Sequence, residues 1–230
     1  MALSECHSPT DHGDMELSTT PRTQLGRHSE RTRADRAELY RVLDEALICH
    51  LGVAGDDPAG APMVLPTCFG YLEDTLYLHG STGARSLRGG SGAEVCITVS
   101  LVDGLVYSRS VFSHSANFRS AVIYGAARPV TDPEEKLLAL EAIVEHTTPG
   151  SWNHARRPNR KELAATAVLA VRLTEASVKA RGGPPVDQDT DVATAGVWAG
   201  VLPVNTSYGP PRPCPLLPAD VPVPAHVRDR

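Results

Sequence analysis

The sequence predicts a mostly β fold with flanking helices, arranged as a small antiparallel barrel. Three observations predict it. Short apolar runs recur between turn residues, neighbouring runs are joined closely enough to form hairpins, and helical periodicity is confined to one segment before the strands and two after most of them. A parallel sheet would need helices alternating with the strands throughout.

The elements follow in order. Thr32, with Asp35 three residues on, resembles a helix start, and Leu39, Leu43, Ala46 and Leu47 recur on one face, which predicts a helix over 32–46. Runs at 48–54, 62–71 and 75–79 read as three antiparallel strands, the last two joined by a tight Glu73-Asp74 turn. The alternating run 94–102 meets Asp103-Gly104, a turn or bulge, and continues in extended form over 105–109. A further β-rich run covers 120–128. Asp132-Pro133-Glu134-Glu135 combines a cap, a proline suited to the first helical position and acids that complement the dipole, so a helix should run from there to about His146. Asn159-x-x-Glu162 opens a second short helix, and 168–178 reads as one last long strand.

With 230 residues, 41 % hydrophobic and 21 % charged, the chain is long enough for one well-buried domain. We expect that domain over 31–204. Residues 1–30 carry almost no apolar periodicity and read as a mobile arm. Residues 205–230 hold seven of the 19 prolines and read as a Pro-rich tail, with Leu216 and Leu217 able to dock locally. The net charge of -5 and 5 % aromatic content leave no footprint for tracking phosphates or stacking bases, so nucleic acid is excluded as a partner. The five cysteines are odd in number and widely spaced, without zinc-site spacing, and suit a reducing compartment. No apolar stretch approaches the ~18 to 20 residues of a membrane span, and the N-terminus is polar and acidic, so a cytoplasmic protein without membrane contact is expected.

Chemistry concentrates in two places. His79-Gly-Ser-Thr-Gly-Ala-Arg-Ser-Leu-Arg88 follows a strand and leads into a short helix. Gly80 and Gly83 permit close approach of an anion, Ser81, Thr82 and Ser86 offer hydroxyls, and Arg85 or Arg88 can fork onto phosphate oxygens. A solvated glycine-rich turn would look similar. Neither a P-loop ending nor a Rossmann glycine fingerprint is present, which disfavours ATP-driven and NAD-Rossmann enzymes. The second place is His114-Ser-Ala-Asn-Phe-Arg-Ser120, a polar cluster before an apolar strand, able to bind an anion or polarise a carbonyl, or else merely to cap a barrel. Trp198 follows an acidic linker and could fold over a site or anchor a core. His79 and His114 are the candidates for proton transfer, with a structural hydrogen bond the competing role for each. No metal site is expected from the remaining histidines.

Leu65-Pro-Thr-Cys-Phe69, Leu76-Tyr-Leu-His-Gly-Ser81, Asp103-Gly-Leu-Val106, His114–Ser120 and Val197-Trp-Ala-Gly-Val201 together resemble the pyridoxamine 5'-phosphate oxidase-like flavoproteins, in the branch near the 5-nitroimidazole-resistance proteins. The resemblance implies a split β-barrel homodimer with FMN at the subunit interface. It implies that Pro66, Thr67 and the Leu78-His79-Gly80 backbone lie along the isoalloxazine and that Ser81, Arg85 and Ser86 hold the phosphate. Asn117, Arg119 and Ser120 would reach the flavin from the neighbouring subunit, with Trp198 near the ring. Phe118 stands where this branch usually has Tyr, and the C-terminal Arg- and His-bearing motif of true pyridoxamine phosphate oxidases is absent, which argues against vitamin B6 oxidation. The implied activity is an FMN-dependent oxidoreductase acting on a small nitro compound or quinone. The alternatives are a deazaflavin-dependent reductase, or a non-catalytic flavin or haem binder and redox sensor with His79, His114 or an N-terminal histidine as axial ligand. A scaffold whose termini recruit partners is the least specific reading.

Overall fold

The computed structural model describes residues 16–24, 26, 28–55, 60–193 and 196–230. A two-residue strand β1 (Thr32–Arg33) precedes helix α1 (Arg36–Glu45). The helix starts at Asp35, whose side chain accepts from the Ala37 N–H at 2.8 Å, so the cap is Asp35 and Thr32 belongs to a strand. Next come β2 (Ile48–Val53), β3 (Met63–Leu72) and β4 (Thr75–Ser81), the short helix α2 (Arg85–Gly90), then the long strands β5 (Glu94–Tyr107) and β6 (Ser115–Ala126) and the short β7 (Arg128–Pro129). Helices α3 (Pro133–Thr147), α4 (Ser151–His154) and α5 (Arg160–Ala165) lead into β8 (Thr166–Arg172) and β9 (Glu175–Arg181). Helix α6 (Asp189–Val192), strand β10 (Gly200–Pro203) and helix α7 (Ala225–Arg228) complete the chain.

The strands lie in the order β1-β9-β6-β5-β2-β3-β4-β8-β7, with β10 added to β5, and every pairing is antiparallel. Strand β3 carries the split: its first half, Met63 to Cys68, pairs with β2, and its second half, Phe69 to Leu72, pairs with β4. Register in β5–β6 shifts between Val102 and Gly104, so Asp103-Gly104 is a bulge inside one continuous strand.

Alternation along the strands sends one set of side chains inward. Leu51, Phe69, Leu76, Leu78, Ile97, Ile123 and Val171 form the barrel core with Leu39, Val42 and Leu43 of α1. Burial also pushes the Cys49 thiol up to about 12, which makes it unreactive. Helix α1 is tied to the β3–β4 turn, where the buried Arg36 pairs with Asp74 and the Tyr40 hydroxyl donates to the same carboxylate at 2.6 Å. The opposite face of β4 and β8 makes a second cluster, in which Tyr77, Val168 and Ala170 meet Ala139, Leu140 and Ile143 of α3 and Trp152 of α4. Gly70 allows this packing, because a Cβ there would lie 2.5 Å from the α3 backbone at Ala142 and Ile143.

Three expectations differ from the structure. The run 168–178 is not one strand: it is the end of β8, a turn at Leu173-Thr174 and the start of β9, with the turn held by the Leu173 N–H donating to Asp74 O at 2.8 Å. The cluster at 115–120 is the first half of β6 and not a loop before it, because its backbone pairs with both β5 and β9. Residues 16–24, within the expected arm, lie on the barrel. There Leu17 is buried, and Arg22 bonds Glu94 and Glu175 and stacks over Tyr124; residues 1–15 fall outside the described residues. In the tail Leu216 and Leu217 are exposed; contact with the body comes from Arg230, which donates to Thr147 O at 2.6 Å, and His226, which packs on Gly150 and His154.

Candidate functional site

His79 is the most unusual polar group of the molecule. It lies two residues beyond Tyr77 on the outer face of β4, beside its β8 partner Val168. Its Nδ1 is buried without a hydrogen-bond partner, the one such side-chain atom among the described residues. Desolvation lowers its proton affinity below that of an ordinary imidazole, so the ring is neutral at pH 7. A neutral imidazole keeps a lone pair on one ring nitrogen, which suits it to ligate a metal or accept a ligand hydrogen.

The segment after His79 forms an open turn. Ser81 Oγ accepts from the Gly83 N–H at 3.2 Å and keeps its own hydrogen to donate, while Arg85 is exposed at the first position of α2 and Ser86 is half-buried beside it. Pro66 is exposed, Thr67 is half-buried with its hydroxyl on Cys68 O at 3.2 Å, and Leu78 lies in the barrel core, so only its backbone can face a ligand.

The second expected cluster is engaged within its own chain. Asn117 is buried; its Nδ2 donates to Gly183 O at 3.1 Å and its Oδ1 accepts from Arg181. Arg119 is clamped between two carboxylates, donating to both oxygens of Asp103 at 3.0 and 2.7 Å and to Glu45 at 2.7 Å. That guanidinium in turn holds the Glu45 carboxyl below its usual range. Ser120 Oγ approaches Lys179 O at 3.4 Å. His114 is exposed, with Nδ1 3.1 Å from Ser110 O and 3.4 Å from the Ser108 N–H, and it stands edge-on to Tyr107. Trp198 is 67 % exposed and also leans on Tyr107, with ring centroids 5.9 Å apart.

One chain does not bring the two clusters together. Pro66 pairs with His50, His50 with Thr98 and Thr98 with Val122, so β2 and β5 separate β3 from β6 by about 14 Å. Several partners were not read from the sequence. Glu45 and Asp103 around Arg119, and Tyr107 between His114 and Trp198, are joined only by tertiary contact. Asp103 had one signal, its place in the bulge, which turns its carboxylate to the neighbouring strand.

The chain is thus a split antiparallel barrel protein, with a hydroxyl- and guanidinium-bearing turn at one edge and an unpartnered imidazole nitrogen beside it. The family model for pyridoxamine 5'-phosphate oxidase matches residues 35–180, and the chain belongs to that family. The flavocytochrome Anf3 from Azotobacter vinelandii is 36 % identical, with a TM-score of 0.84 over 90 % of this chain and 95 % of that one. A FAD and haem binding protein from Mycobacterium smegmatis is 37 % identical, with a TM-score of 0.81 over 86 % of this chain and 96 % of that one. A proposed 5-nitroimidazole antibiotic resistance protein from Bacteroides thetaiotaomicron is 30 % identical, with a TM-score of 0.54 over 64 % of this chain and 85 % of that one. No curated protein matches. Among the described residues, no helix is long and apolar enough to cross a membrane.

The residues fit both kinds of group that these names suggest. For a flavin, Ser81, Arg85 and Ser86 offer donors to a phosphate at an exposed turn. For a haem, His79 offers the neutral imidazole that an axial ligand requires.

Proposed function

We propose that this chain is a flavin- and haem-carrying redox protein, an oxidoreductase that passes electrons through the two groups to a small acceptor. His79 carries the reading: a half-buried, neutral imidazole whose Nδ1 is buried without a hydrogen-bond partner, beside the turn after β4, is costly to keep unless something engages the ring. The near full-length likeness to a flavocytochrome and to a FAD and haem binding protein supports it. The M. smegmatis likeness favours FAD over the FMN that the sequence resemblance implies. The flavin supplies hydride and single-electron chemistry, and the chain's part is to bind and orient it. Ser81, Arg85 and Ser86 would hold its phosphates, the backbone at Pro66, Thr67 and Gly80 would border its ring, and Trp198 would cover it. His114 is better read as a surface histidine steadied by Ser110 and Tyr107.

A homodimer follows from the same reading. Ile48, Val64 and Val102 are exposed on the outer face of the barrel, and a second copy would cover them and bring its Asn117 to Ser120 strand toward the flavin turn. The test is the absorption spectrum of the purified protein, with release and chromatography of the flavin. Flavin bands with a Soret band lost in His79→Ala would support the reading. Protein that binds neither group when both are added would refute it, and released FMN would correct the flavin assignment.

A further inference from the structure

Between the turn after β4, α2 and the start of β8 lies a cleft of ≈ 290 Å³ to which the proposed function assigns no role. Arg88, at the end of α2, and Lys136, in the first turns of α3, stand on its walls, and Thr82, Ser91 and Thr166 add three hydroxyls. Among the described residues, no carboxylate lines it. The nearest acid in sequence, Glu135, is turned away to Arg128 and Tyr77. The Arg88 backbone N–H donates to Ala84 O at 3.1 Å, but its guanidinium makes no hydrogen bond or ion pair with any described residue. Lys136 is held in place by donating to Leu163 O at 2.7 Å, which leaves two of its ammonium hydrogens for another acceptor. In a chain of net charge -5, two cations lining one cleft without a counter-charge among the described residues mark a place for a bound anion.

The position of the cleft says which anion. Val168 and Thr166 line it, and in the β4–β8 ladder they are the partners of His79 and Ser81. The cleft thus begins one strand away from the imidazole. It is too small for a macrocycle but large enough for acidic side groups at a macrocycle's edge. We propose that Arg88 and Lys136 form a carboxylate site that takes the propionates of a haem ligated by His79. The inference rests on the haem reading above.

The experiment titrates the flavin-loaded protein with haemin and, separately, with haemin dimethyl ester, following the Soret shift. The ester keeps the iron and the ring but removes both negative charges. The wild type should prefer haemin by about ten- to a hundredfold, the worth of one or two charge-assisted contacts. Arg88→Leu with Lys136→Met should bind both probes alike, with an unchanged Soret maximum and full flavin content. Arg88→Lys with Lys136→Arg should keep the preference, which guards against a folding artefact. Equal binding of both probes by the wild type would overturn the proposal, as would a preference surviving in the neutral double variant. Loss of flavin from that variant would reassign the cleft to the flavin phosphates and overturn it too. The His79→Ala variant judges the underlying reading separately: an unchanged Soret response there refutes ligation by His79, and no response in the wild type refutes both.

Discussion

Gly70→Ala is the perturbation whose cost can be worked most directly. The added methyl would lie 2.5 Å from the carbonyl carbon and oxygen of Ala142 and from the Ile143 nitrogen, all of them helix backbone that cannot rotate aside. Restoring ordinary contact requires α3 to withdraw by about 1 Å, which loosens Ala139, Leu140 and Ile143 from Tyr77, Val168 and Ala170. Overpacking of this kind costs about 2 to 3 kcal/mol. Restricting the unfolded chain returns about 0.5 to 1 kcal/mol. A net loss of about 1 to 2.5 kcal/mol should lower Tm by roughly 2 to 10 °C in a chain of this size. Thermal and urea unfolding measure it, with Gly89→Ala as the control, since nothing stands within 4 Å of a methyl there. An unchanged or raised Tm in Gly70→Ala would show that α3 does not bear on β3 as described.

The remaining predictions concern charge. Because burial lowers the proton affinity of His79, the unfolded chain binds that proton more readily, so wild-type stability should fall as pH drops below about 6.5. In His79→Gln the slope between that pH and the onset of carboxylate titration should be shallower, and equal slopes in urea midpoints against pH would contradict it. Arg119→Met should cost about 1 to 2 kcal/mol at pH 7, the exposure of Glu45 trimming the usual worth of charged hydrogen bonds. Since Arg119 holds the Glu45 carboxyl low, that difference should shrink as pH falls through the folded-state value, and a constant difference down to pH 3 would argue against the clamp. Arg22→Ala should leave the barrel folded but free residues 16–24 for faster amide exchange and proteolysis; unchanged exchange there would mean that Leu17 and Thr23 hold the segment unaided.

The strands β2 to β5 and helices α3 and α5 were legible because each is written locally, in alternation, in Asp132-Pro133 and in the Asn159–Glu162 capping box. The break between β8 and β9 was not. Leu173-Thr174 contains no glycine, proline or asparagine, and what bends the chain is a carbonyl of Asp74 from another turn. The docked residues 16–24 escaped notice for a related reason: ion pairs and one buried leucine hold them, and neither leaves an apolar period. At the candidate site, residue types alone drew attention to the turn after β4 and to His79, while the clamp on Arg119 and the separation of the two clusters depend on register that only the assembled sheet fixes.

Strands β8 and β9 are neighbours in the chain but sit toward opposite ends of the strand order, β8 against β4 and β9 against β6. The hairpins β2–β3, β3–β4 and β5–β6 can pair through short connections as soon as they are made, whereas β8 must reach β4 across 85 to 97 positions and β9 must reach β6 across 51 to 63, seating on both edges at once. Closure of the barrel is therefore the slow, non-local event of folding, and it also sets His79 beside Val168. A nascent chain that has not yet produced β8 leaves β4 and His79 without their β8 partners, so any ligand site built on that ladder can form only after closure, as the last commitment of the folding route.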